Sequence, residues 1–76
     1  MSGRARRFTV HRLNTDTGKE LTVPGLTERE ARARVFWCGT DNLDLSRKDA
    51  AADADHAPID GTPFTVGPYE FTITRE

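Results

Sequence analysis

Cys38 is the only thiol in this 76-residue chain, and His11 and His56 are the only imidazoles that could serve it as a base. Nucleophilic catalysis needs a stabilised thiolate, which a helix N-terminus or a neighbouring cation supplies. Cys38 instead closes a helical pattern, where the carbonyl end of the dipole opposes a negative charge. With Ala31 and Val35 it falls on one apolar face, so it reads as a small core residue. His11 stands beside Arg12 in an alternating stretch and reads as a strand residue on the solvent side. Asp53, Asp55 and His56 in "DADH", with Asp41 and Asp44, carry donors that suit Ca²⁺ or Mg²⁺, but the glycine and the last glutamate of an EF-hand loop are missing. These carboxylates read as a solvated acidic segment, with no apolar surroundings to raise a pKa. No phosphate loop, G-x-G-x-x-G, H-E-x-x-H or C-x-x-C occurs. No metal, cofactor or catalytic residue is therefore expected, and the chain is expected not to be an enzyme.

Residues suited to binding are easier to find. The stretch "LTEREARARVFWCGTD" ends its apolar pattern with four apolar residues in a row, Val35 to Cys38. At about 100° per residue, Phe36 falls roughly 140° from Ala31 on one side and Trp37 roughly 120° on the other. A regular helix cannot turn both toward one core. Arg29, Arg32 and Phe36 form one stripe, and Glu30, Arg34 and Trp37 form another in which Glu30 can pair with Arg34 and Arg34 can lie on the indole. Two placements follow. In the commoner one, the 40–61 segment covers one aromatic and the N-terminal arm or a strand end covers the other. In the second, one aromatic stands exposed as an anchor flanked by arginines, the residue types enriched at interface centres.

Charge adds a second theme. Residues 1–34 hold eight Lys/Arg against four Asp/Glu, a net +4, and residues 35–76 hold three against eight, a net −5. Arg4, Arg6 and Arg7 on the arm, with Arg29 and Arg32, could dock on phosphates. The sequence pI of about 6.1 and the acidic second half weigh against a nucleic acid partner. The carboxylates Asp49, Asp53 and Asp55 could instead present an electrostatic face to a basic groove on another protein.

The elements that must carry these residues read as follows. "RFTVHRL" alternates as a half-buried strand, "NTDTGK" has hairpin chemistry with Gly18 left-handed, and "KELTV" returns with Leu21 and Val23 on the face of Phe8 and Val10. Thr27 and Glu30 make a capping box for a helix from about Glu28 to Cys38, stopped by Gly39. Residues 40–61 form an acidic loop or a short helix capped by Ser46 and Asp49, anchored by Leu43, Leu45 and Ile59. "PFTV" and "YEFTITRE" make a second hairpin with Tyr69, Phe71 and Ile73 inward.

The expected fold is one α+β domain over residues 1–76, of order ββαββ. An antiparallel sheet of three or four strands carries one main helix on one face, and residues 1–6 form a flexible basic arm. With 36% hydrophobic residues, it has material for a small core and little room for a deep, water-excluding pocket. A single cysteine, no apolar run beyond four residues and no signal-like start suggest a cytoplasmic protein. The leading expectation is a non-catalytic module that binds a larger protein, one that handles nucleic acid included. It would occlude that protein's surface through Arg29, Arg32, Phe36 and Trp37, with Asp49, Asp53 and Asp55 as the electrostatic patch. In size and composition, though in no motif, the chain is like small inhibitors carried by phages and mobile elements, anti-CRISPR proteins among them. The alternative is a small nucleic-acid-binding domain led by Arg4, Arg6 and Arg7 and the basic helix face. A homodimer through an unpaired sheet edge is a third arrangement, and no membrane partner is expected.

Overall fold

The computed structural model describes residues 6–76, and Arg4 of the expected arm lies outside them. The chain folds as an α+β domain. Strands β1 (Phe8–Asn14) and β2 (Glu20–Leu26) form the first hairpin, helices α1 (Glu28–Trp37) and α2 (Arg47–Asp55) follow, and β3 (Phe64–Val66) and β4 (Tyr69–Arg75) close the sheet. Four antiparallel strands lie in the order β2-β1-β4-β3, so the first and last strands are central.

Local chemistry explains most of these elements. In the first turn, the Asn14 carboxamide oxygen accepts from the Asp16 and Thr17 N–H groups. Gly18 (φ 76°) takes the left-handed position and donates to the Asn14 carbonyl. Before α1, the Thr27 hydroxyl accepts from Glu30 N–H and the Glu30 carboxylate accepts from Thr27 N–H, the capping box in both directions. Within β2, the three-residue step from Val23 to Leu26 opposes the two-residue step from Phe8 to Val10, a bulge at Pro24-Gly25 through which the strand runs on to Leu26.

Cross-strand register sorts the two faces. Val23, Val10 and Ile73 share one row of the inner face, with Leu26, Phe8 and Arg75 at one end and Leu21, Arg12 and Phe71 toward the other. Phe8, Val10, Phe71 and Ile73 are buried there beneath Ala31, Val35 and Cys38 of the helical layer, and Phe64 stacks on Phe71 with centroids 5.4 Å apart.

One expectation needs correction. Gly39 does not stop the helix. The backbone carries on through one π-helical turn, Cys38–Asn42, and Gly39 keeps a negative φ inside it. Its role is close approach: a Cβ there would stand 3.1 Å from Ala50 Cβ and 3.2 Å from Leu45 Cδ1. The glycine lets α2 lie against the end of α1, a reason for glycine as good as a helix stop. For the 40–61 segment, the short helix rather than the loop is found. Ser46 caps α2 through Asp49 N–H, and Ala50 and Ala54 are buried. Leu43, Leu45 and Ile59 anchor the segment on the core as expected.

Candidate binding surfaces

The helical layer has a definite direction along the sheet. Thr27 and Arg29 share a groove with Phe8 and Arg75 at one end, while Leu43, just past the π-helical turn, packs on Gly67 at the other. α2 then returns antiparallel, and its last turn meets the middle of α1 through Arg32. One guanidinium nitrogen of Arg32, Nη1, donates to the carbonyls of Ala54 (2.8 Å), Asp55 (3.2 Å) and Ala57 (3.0 Å), and its Nε donates to Glu28 Oε2 (3.1 Å). Ala54 and Asp55 belong to the last turn of α2 and Ala57 follows it, so Arg32 acts as a side-chain cap on the end of α2. It is not a free cation beside Arg29. The expected basic stripe is thereby divided.

This division also decides where the two aromatics go. Arg32 and Gly39 mark the flank of α1 that meets α2, and Phe36 falls near that flank and is half-buried against the core. Trp37 falls on the opposite flank and is 57% exposed, with its ring edge-to-face on Phe36 at 5.1 Å. The only other large hydrophobic side chain exposed among the described residues is Leu21, on edge strand β2, at 40%. α1 packs over β1 and β2, so the flank of α1 away from α2 is the side on which β2 lies. The expected Glu30–Arg34 pair does not form, because the Glu30 carboxylate is held in the capping box. The cation–π contact found is Arg12 over Tyr69, at 5.0 Å, rather than Arg34 over Trp37.

The acidic candidates are exposed on α2 but do not share one stripe. Asp49 and Asp53 are one turn apart, whereas Asp55 falls on another flank. Among the described residues, no three His, Cys, Asp or Glu side chains converge as a metal site would require, and no helix is long and apolar enough to cross a membrane.

A groove at the Phe8 end was not foreseen in the sequence. About 730 Å³ in volume, it is floored by Phe8 and Ile59 and rimmed by Arg6, Arg29 and Arg75. Glu28 and Asp60 also line it. The Thr62 hydroxyl, followed by the Thr62 N–H that donates to Asp60, holds the Asp60 carboxyl below its ordinary value. Arg7 is exposed nearby, and its charge contributes to lowering the pKa values of Glu30 and Glu76. For Glu30 the larger cause is the backbone and hydroxyl of Thr27, and for Glu76 it is the Gly25 N–H, followed by the Thr9 hydroxyl.

Comparison with protein-family models, with curated proteins and with solved structures finds no match for this chain.

Proposed function

We propose that the protein is a non-catalytic binding module that docks on a larger protein and acts by covering part of its surface. The observation that carries this reading is Trp37, the largest side chain in the molecule, held 57% exposed on a regular helix. The exposed part of the indole contributes no burial to the fold, and tryptophan is the residue type most enriched among interface anchors. Phe36 beneath it fixes the indole's position, which limits the side-chain entropy lost on binding. Arg34, on the same flank of α1, supplies a charged rim. Asp49 and Asp53 offer an acidic stripe to a partner that handles nucleic acid, and an inhibitor of the kind carried by mobile elements is one way such a module is used.

The test is a pair of affinity captures from host lysate, each run with and without nuclease, using the wild-type chain and Trp37→Ala side by side. A protein captured by the first and lost from the second, with both chains melting at the same temperature, supports the reading. Equal capture by both chains would remove Trp37 from it. Capture that vanishes on nuclease treatment would move the assignment to nucleic acid, with Arg6, Arg7 and Arg29 as the phosphate contacts.

A further inference from the structure

We infer that the groove between the start of β1, the first turn of α1 and the end of β4 is a second binding site, and that it takes a short peptide segment pairing acidic side chains with a large apolar one. The site is independent of Trp37, which lies near the other end of α1.

Three features select this ligand. The floor, Phe8 and Ile59, is apolar, and a volume of about 730 Å³ is enough for two or three residues of a peptide, within the usual range for ligand pockets. The rim carries three guanidinium groups, Arg6, Arg29 and Arg75, none of which makes a hydrogen bond or ion pair among the described residues. Guanidinium forks match carboxylates with two parallel hydrogen bonds, and three of them around an apolar floor complement an apolar side chain flanked by acids. The first-turn amides of α1 are not the source of the attraction, since the capping box already engages its N-terminus.

The same rim disfavours a nucleic acid strand. Glu28 and Asp60 stand among the arginines and would repel a continuous line of phosphates. A peptide is not so constrained, because its carboxylates are spaced and its backbone N–H groups can donate to those two acids. The site needs β4 beside β1, since only that pairing brings Arg75 opposite Phe8.

The experiment is a titration of the ¹⁵N-labelled full chain with the acetylated, amidated peptide Asp-Phe-Asp-Leu, followed by amide shifts. We expect saturable shifts at Phe8, Thr27, Arg29, Ile59 and Arg75 with Kd below about 1 mM. The Asn-Phe-Asn-Leu analogue should bind at least roughly tenfold more weakly, and Arg29→Gln and Arg75→Gln should each weaken the acidic peptide severalfold. Trp37→Ala should bind it unchanged. Arg29 and Arg75 are exposed and unpaired among the described residues, so the variants should keep the wild-type melting temperature, and either one alone suffices for the comparison. Shifts that are absent or scattered at saturating peptide, or equal affinity for the Asp and Asn peptides, would overturn the assignment. So would a hexathymidylate strand that binds the groove more tightly than the acidic peptide.

Discussion

Arg32 and Trp37 stand five positions apart on one helix and have opposite uses. The Arg32 guanidinium supplies hydrogen atoms to carbonyls of Ala54, Asp55 and Ala57, two of these bonds partly buried. Arg32→Ala would take this donor from the Asp55 and Ala57 carbonyls and leave Ala54 only its backbone N–H partners, and we expect a loss of about 2 kcal/mol in a denaturant melt. Arg32→Lys should recover only part of it, because a single ammonium cannot reach the three carbonyls and the Glu28 carboxylate at once. Trp37→Ala removes a side chain that is mostly in water, so its effect on stability should stay within about 0.5 kcal/mol. A drop in melting temperature as large as that of Arg32→Ala would make Trp37 part of the fold rather than of an interface.

At the scale of elements, the β3–β4 turn is the tightest spot. Gly67 has φ 59°, and a Cβ there would stand 2.8 Å from Leu43 Cδ1. Gly67→Ala should cost about 1–3 kcal/mol, through left-handed strain and displacement of the leucine that anchors the segment between the helices. Thermal unfolding of this variant beside Gly18→Ala, whose added Cβ meets nothing within 4 Å, separates the two causes. Turns and caps of this kind are where sequence reading works well, because Asn14, Gly18, Thr27, Glu30 and Ser46 act on neighbours a few residues away. Gly39 resisted that reading because a glycine after a helix serves as a stop or as a close contact with equal sense. Only the position of α2 distinguishes them. Phe36 and Trp37 were separable by helical angle from the start. Which one would be covered depended on the flank α2 chose, and that choice is written in Arg32, whose acceptors lie more than twenty residues away. The Arg6–Arg29–Arg75 groove was illegible for the same reason, since strand order alone assembles it.

The molecule as a whole carries a pH dependence that follows from three carboxylates. Glu30, Asp60 and Glu76 are held below their ordinary values of 4.5, 3.8 and 4.5 by N–H and hydroxyl donors that exist only in the folded chain. The unfolded chain therefore takes up these protons first as the pH falls. The stabilisation is complete above the ordinary carboxylate range and is lost as the pH drops through the folded pKa values. Urea midpoints should be flat from neutral pH to about 5 and decline below about 4.5. Glu76→Gln should flatten that decline, since Glu76 Oε2 accepts from both Thr9 and Gly25 and joins β1 to β2 across the outer face.

The central position of β4 has a bearing on how the chain is made. Phe8 waits for Arg75 and Val10 for Ile73, partners more than sixty residues away. During synthesis at about 5–20 residues per second, the first hairpin leaves the ribosome several seconds before its neighbour exists. Until then β1 has a free edge, and the apolar side chains meant to lie beneath α1 have only half a floor. A nascent chain halted before Tyr69 should be as sensitive to protease as an unfolded one, and release of the last strand should confer resistance in a single step. Order would then arrive late and all at once, with the Arg6–Arg29–Arg75 groove completed only as β4 docks.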